Sequence, residues 1–309
     1  MALRFTVLAS GSAGNASLVQ SGDLGLLIDV GLGPRQFAQR LRSIGANWSA
    51  VKGVVLTHTH SDHWKDSTLG FMLRARIPLY CHPAHHSILL NYSAAFPGLL
   101  AAGLVRPFEA GQRLLLAPGL RCRPLPIRHD SGATFGFRIE GAPDLFGRAP
   151  ALAYVADLGT WDEPLAEHLS DVDLLAVEFN HDVSLERGSG RAPRLIARVL
   201  GDEGHLSNDQ AGALVAAVLR RSPAGRLRHL VQLHLSRECN RRALARTAAQ
   251  AVLDALSPEV RLHTARQDAP GSSLLLTAEG APRRRGASAP RSVVAQPIEP
   301  WLPGLGPTG

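Results

Sequence analysis

Apolar positions along the chain fall into two periods. Residues 3–10 (LRFTVLAS), 16–21 and 24–30 (LGLLIDV) are short apolar runs between glycine-rich turns, which predicts three strands with Gly22-Asp23 as a hairpin connection. The period then changes. Phe37, Leu41 and Ile44 recur at helical spacing after Pro34 and before Gly45, so a helix opens on the proline and stops at the glycine. A buried strand at 51–57 (VKGVVLT) follows, then a helix near 64–76, a strand at 78–81 and a helix near 83–94. Strands are expected near 104–108, 112–116, 120–127, 133–140 and 151–156. The second half is more helical. A strand at 172–179 precedes helices near 193–200 and 207–221, a strand at 227–235, a helix near 240–256 and strands near 259–263 and 273–277. Strands lead and helices interleave in both halves, which predicts two sheets stacked face to face with helices outside: an α/β, four-layer αββα sandwich spanning residues 1–277.

From Ala278 onward the periodicity is lost. Arg283-Arg284-Arg285 and recurrent prolines mark 278–309 as a Pro/Gly/Arg-rich, disordered tail, either a basic arm for an anionic partner or a solvated extension. At 45% hydrophobic and 19% charged residues, the chain is neither fibrous nor wholly disordered. Its net charge of +7 leans weakly toward an anionic substrate, but only Lys52 and Lys65 are lysines, so the arginine content reads as a compositional bias. Cys81, Cys122 and Cys239 are odd in number and widely spaced, offering neither a disulfide framework nor a metal knuckle; Cys239 reads as a packed thiol. No apolar run reaches the roughly 18 residues of a membrane span, and the apolar stretch at 5–9 is interrupted by Thr6, so no signal peptide, no membrane and a cytoplasmic location are expected. Oligomeric state is left open.

The chemistry concentrates in Thr57-His58-Thr59-His60-Ser61-Asp62-His63, where a strand ends and a helix begins. His58 and His60 alternate to one side of an extended segment, while Asp62 and His63 follow the bend to a neighbouring position. Imidazoles and a carboxylate suit Zn²⁺ or a similar divalent ion. By contrast, His82, His85 and His86 read as decoration of a surface loop. Four nearby donors cannot complete two coordination spheres. His129, Asp157 and His234 each follow a predicted strand, so His58, His60 and His129 are expected on one ion, Asp62, His63 and His234 on the other, and Asp157 between them. Two such ions, about 3.5–4 Å apart, hold a bridging hydroxide that attacks an ester while they stabilise the charge that develops. Zn is the first expectation for both ions and Mn the alternative.

This string resembles the signature of the metallo-β-lactamase superfamily, His-x-His-x-Asp-His, and the later donors recur in the same order over roughly residues 3–277. Ser10-Gly11-Ser12-Ala13-Gly14-Asn15, Glu178-Phe179-Asn180-His181-Asp182, Gly204-His205-Leu206-Ser207-Asn208 and His234-Leu235-Ser236 are most similar to the YycJ (WalJ) branch. That resemblance implies a phosphodiesterase, an exonuclease acting on DNA. His63 stands where common class B lactamases have arginine, His60 where flavo-diiron enzymes have glutamate, and the span from Asp157 to His234 has no room for a β-CASP domain. Nor does a Gly/Pro-rich insertion suggest the arm of transfer-RNA processing nucleases. Hydrolysis of a cyclic phosphodiester or a thioester stays open, as does a non-catalytic nucleic-acid-binding module.

The resemblance implies that Asp29 orients ligand imidazoles, the alternative being a turn cap. It also implies that His205 protonates the leaving oxygen with Glu178 as its carboxylate partner, the alternative being a structural hydrogen bond. Asp62, His205 and Glu178 are thus the expected catalytic residues. The loop at 10–15 is expected to offer backbone amides with Ser12 and Asn15 to a phosphate, or to be a plain tight turn, and Asn180 and His181 are expected to line the same rim. Two departures from the branch, Cys239 in place of asparagine and Ala192-Pro193 in place of tyrosine-proline, bear on substrate preference.

Overall fold

Strands buried on both faces read as unbroken apolar runs, and the central strands of this chain are of that kind. The computed structural model describes residues 2–117, 119–145 and 147–278, so the tail expected beyond Ala278 lies outside the described residues. The chain first lays down β1 (Leu3–Ala9), β2 (Ala16–Ser21), β3 (Leu24–Ile28), β4 (Val51–Val55), β5 (Leu79–Cys81) and β6 (Val105–Pro107). A second sheet follows from β7 (Leu114–Ala117), β8 (Leu120–Ile127), β9 (Thr134–Glu140), β10 (Ala151–Val155), β11 (Leu174–Glu178), β12 (His229–Leu233) and β13 (Arg261–Thr264), and β14 (Leu274–Leu276) returns to the first. The strand orders are β14-β1-β2-β3-β4-β5-β6 and β13-β12-β11-β10-β9-β8-β7. Strands β3 to β6 are mutually parallel, as are β10 to β13.

Alternation within each strand divides the core into three layers. Leu26 and Ile28 face the second sheet, as Leu152 and Tyr154 face the first, and these side chains form the central layer. Leu27 and Val54 point the other way, onto helices α1 (Pro34–Ser43), α2 (Asp66–Ala75), α3 (His86–Tyr92) and α4 (Phe96–Ala101), through Phe37, Leu41, Met72 and Phe96. Ala153 and Val155 face α5 (Glu163–Leu169), α8 (Asn208–Arg221) and α9 (Arg242–Leu256), while the shorter α6 (Val183–Arg187) and α7 (Pro193–Leu200) lie between α5 and α8 in the chain. Three apolar layers between four layers of structure constitute the αββα sandwich the pattern predicts.

Local signals set several boundaries. Ser207 accepts from the Gln210 amide while the Gln210 side chain accepts from the Ser207 amide, a reciprocal cap that starts α8. The helix expected near 83–94 is present as α3, opened by a 3₁₀ turn at Pro83–His85, and α4, α5 and α6 arise where no helix is predicted, since five to seven residues are too few to display a period. The expectation for His85 is corrected. It is buried, its Nε2 donates to the Ala133 carbonyl at 2.8 Å, and burial pushes its imidazole pKa down to about 4. Among the described residues, no helix is long and apolar enough to cross a membrane. Cys81, Cys122 and Cys239 are free and buried.

Candidate metal centre

In open parallel sheets, the carboxyl ends of the strands carry the ligand site, because loops leave there and polar side chains can converge. Here Asp29 follows β3, the histidine string follows β4, Asp157 follows β10, Glu178 ends β11 and His234 follows β12. Asp29, Asp157 and His234 all have left-handed backbones, with φ of 64°, 54° and 53°. That conformation is unfavourable for L-residues, by roughly 1–2 kcal/mol each, and here it turns each side chain off its strand into the site. Gly31 permits the close approach of the two loops: a Cβ there would lie 1.8 Å from the Asp62 carbonyl oxygen, which accepts the Asn15 amide.

The seven expected donors meet in two groups. His58, His60 and His129 form one, and Asp62, His63, Asp157 and His234 the other, the donor atoms within each lying within 4.8 Å of one another. Asp157 Oδ2 is 3.3 Å from His58 Nε2 and 2.6 Å from His63 Nε2, so this carboxylate stands between the groups. His58 Nε2 and Asp157 Oδ1 are buried without a hydrogen-bond partner, although Asp157 Oδ1 lies 2.7 Å from His234 Nδ1. Buried polar atoms without partners are rare, and imidazole nitrogens aimed with a carboxylate at a common space are the donor set for a divalent ion. The residues fit two cations.

Hydrogen bonds outside this space decide which nitrogen faces inward. Thr57 Oγ1 lies 3.0 and 2.9 Å from the two Asp29 oxygens and 3.0 Å from His58 Nδ1, so it donates to the carboxylate and accepts from the imidazole. His63 Nδ1 donates to Asp29 Oδ2 at 2.7 Å, and His129 Nδ1 to the Gly204 carbonyl at 2.8 Å. Each leaves Nε2 as the inward lone pair. Asp29 thereby orients one imidazole in each group, where a turn cap is the other sequence reading.

Electrostatics match a cation site. Burial opposes charge on His63, yet Asp157, Asp29 and Asp62 outweigh it and hold the imidazole up at about 10. Burial likewise opposes charge on Asp157, but His234 and His63 hold it well below the carboxylate range. Metal ligation requires neutral imidazoles, so a bound ion takes the place of these protons.

Glu178 is fully buried, with Oε2 accepting the Leu158 and Leu206 amides at 3.0 and 3.1 Å. Its Oε1 lies 2.8 Å from His205 Nδ1 and 3.0 Å from His234 Nδ1. Burial pushes this carboxyl up, but His205 and His234 prevail and hold it at about 2. His205 is raised, since Glu178 and Asp157 overcome its desolvation. Asp157, Glu178, His205 and His234 constitute a third group with metal-ligand spacing.

The remaining expected residues divide. Asn15 is buried, and its Nδ2 lies 3.1 Å from Asp62 Oδ2 and 3.0 Å from His63 Nε2, beside the second group. Ser12 is exposed. Most amides of this loop are paired within the protein: Gly11 N donates to Asn15 Oδ1, Ala13 N to Gln267 Oε1, Gly14 N to the Gly11 carbonyl and Asn15 N to the Asp62 carbonyl. Asn180 Nδ2 donates to the His234 carbonyl at 2.9 Å. His181 is buried with both ring nitrogens unpartnered. Sequence reasoning missed Thr57 as a link, Ser10, whose Oγ accepts the His234 amide at 2.8 Å, and Asp130, whose Oδ1 lies 3.5 Å from both His60 Nε2 and His129 Nε2. Asp130 is gripped by Arg198, and its adjacency to His129 was the available signal.

Comparisons with known proteins place this geometry. The family model described as a beta-lactamase superfamily domain matches residues 25–226. The chain is 28% identical over 260 residues to Exodeoxyribonuclease YycJ of Bacillus anthracis, covering 82% of this chain and 90% of that protein. It is 27% identical over 243 residues to Exodeoxyribonuclease WalJ of Streptococcus pneumoniae, covering 78% and 85%. Among solved structures, zinc-bound PqqB from Methylobacterium extorquens superposes with a TM-score of 0.62 at 17% identity, covering 87% of this chain and 99% of that one.

Proposed function

The chain belongs to the beta-lactamase superfamily, and from that membership we propose that it is a dinuclear metal-dependent phosphodiesterase that degrades DNA from an end. The two sequence relatives are exodeoxyribonucleases, which supports the substrate class. The observation that carries the chemistry is the grip of one buried carboxylate, Glu178, on both His234 and His205. It joins the second donor group, through His234, to an imidazole that is not among the seven expected ligands.

In this reading His58, His60 and His129 would hold one ion and Asp62, His63 and His234 the other, with Asp157 available to both. Zinc is the first candidate, as in the similar PqqB, and manganese the second. When bound, such ions lower the pKa of water and stabilise charge on a phosphoryl oxygen. The protein's own side chains do the rest. Asp29 and Thr57 keep ligand nitrogens aimed inward, and Asn15 holds the Asp62 carboxylate in place. Glu178 fixes His205 by Nδ1, leaving Nε2 to hand a proton to the departing alkoxide, a contribution of about 10²–10⁴-fold. Asn180 steadies the backbone that carries His234.

The test is digestion of end-labelled single- and double-stranded DNA, with bis(p-nitrophenyl) phosphate as reporter, in zinc or manganese and after chelation. The expected result is chelation-sensitive reporter turnover together with mononucleotide release from DNA ends. Reporter turnover without DNA loss rejects the exonuclease; turnover that survives chelation rejects the metal mechanism.

A further inference from the structure

A groove begins beside His234 that the two donor groups do not use. Its first part is a cavity of about 730 Å³ lined by Arg237, Arg241, Arg242 and Arg266. Its second, about 310 Å³, shares Ala265 and Arg266 with the first and adds Arg246. Among the described residues lining either part, Asp268 is the only acid. The near end adjoins the centre. Ser10 and Ser236 line it; Ser10 accepts the His234 amide at 2.8 Å, and the Ser236 amide donates to the Asn180 carbonyl at 2.8 Å.

Arg241, Arg242 and Arg246 are held in place by backbone carbonyls. Arg242 and Arg246 are one turn apart on α9 and both reach across to the end of β13. Arg242 donates to the Thr264 and Ala265 carbonyls at 3.2 and 3.1 Å, and Arg246 lies 3.5 Å from the Leu262 carbonyl. Partial burial, followed by the like charges of Arg266 and Arg246, lowers the pKa of Arg242, so the positive charge is crowded. An isolated phosphate calls for donors that converge on one point. Here the arginines come from the loop after β12, from α9 and from the segment after β13, and they line two joined cavities in succession. Of the two rings that line this groove, Phe5 is fully buried and cannot stack on a base, and His263 is half-buried with its Nε2 3.1 Å from His229 Nδ1.

We propose that this groove carries the sugar-phosphate backbone of the polynucleotide strand whose end lies at the metal centre, held by its phosphates and not by its bases. The proposal rests on the reading of that centre as a polynucleotide hydrolase. Phosphate contacts of this kind position a strand without reading its sequence, so binding is sequence-indifferent and salt-sensitive.

The experiment measures fluorescence anisotropy of a labelled phosphorothioate single-stranded DNA in chelator. Wild type is compared with R237Q/R241Q/R266Q and with the charge-matched distant variant R74Q/R106Q/R121Q, with melting temperatures as the folding control. The groove variant should bind at least about tenfold more weakly, and its log affinity against log salt slope should flatten by about 2, at roughly 0.7 per lost phosphate contact. The distant variant should bind like wild type. Equal losses in both variants, no loss in the groove variant, or displacement of the strand by polyglutamate at equal charge would each overturn the proposal. DNA bound through the groove but cut in neither zinc nor manganese retires the exonuclease reading and leaves the groove. DNA cut equally by wild type and groove variant, with equal binding, does the reverse.

Discussion

Asp157 and Asp173 are both buried carboxylates of the second sheet, one just after β10 and the other just before the parallel β11, at opposite ends of the strands. Their surroundings differ in kind. Asp173 Oδ2 accepts the Ala151 amide at 2.8 Å, and its Oδ1 lies 2.7 Å from Arg226 Nη1 and 2.8 Å from Arg228 Nη2. Permanently charged guanidinium groups and an amide close that site. Asp157 faces His58, His63, His205 and His234, imidazoles that can give up their protons, and its Oδ1 has no aligned hydrogen bond. Depth of burial does not separate the two carboxylates. The partners do: arginines complete a carboxylate, whereas imidazoles leave it ready for a cation.

Asp157→Asn should produce the largest effect. Turnover of the phosphodiester reporter should fall by about a thousandfold or more, the equivalent of about 4 kcal/mol of lost metal-centred stabilisation. Its destabilisation of the metal-free protein, measured by urea unfolding, should be smaller than that of Asp173→Asn. The latter strands two buried guanidinium groups and should cost about 3–5 kcal/mol in the same assay, while the folded fraction still takes up two ions per chain. Loss of metal in Asp173→Asn, or equal destabilisation by the two variants, breaks the contrast.

His205→Ala sharpens it further. Nucleotide release from DNA should fall about 10²–10⁴-fold with metal content unchanged, whereas the reporter, whose nitrophenolate leaves without a proton, should be affected far less. A lost ion would instead make His205 a ligand within the group of Asp157, Glu178 and His234. The smallest effect is expected for Thr57→Val, which removes the link from Asp29 to His58 while His63 keeps its own bond to Asp29. Competition with a chromophoric chelator should show one site weakened about 10–100-fold and the other less affected. Equal weakening of both would mean that Thr57 acts on the centre as a whole.

What was legible follows from how each part is encoded. The string from His58 to His63 is local, so spacing after a strand was enough to find four donors, and His129, Asp157 and His234 were visible because each ends an apolar run. The double-faced burial of β3, β4, β10 and β11 gave those runs and with them the layered fold. Thr57 was visible as a residue but not as a link, since its role depends on Asp29 arriving from another strand at left-handed φ. The loop at 10–15 has the composition of a phosphate cradle, yet Gln267, from far along the chain, occupies one of its amides. Nothing in the sequence marks Asp173, which falls inside the strand expected at 172–179, because Arg226 and Arg228 reach it only in the fold. His85 looked like its neighbours for the same reason.

The most direct test of two cations caged at the carboxyl ends of the strands is anomalous diffraction from crystals of the zinc-loaded protein. The expected map has two peaks, one within about 2.0–2.2 Å of nitrogens from His58, His60 and His129, the other at similar distances from Asp62, His63 and His234, with Asp157 reaching both. A single peak, a peak outside these groups, or His129 or His234 turned away from the ions would contradict the account.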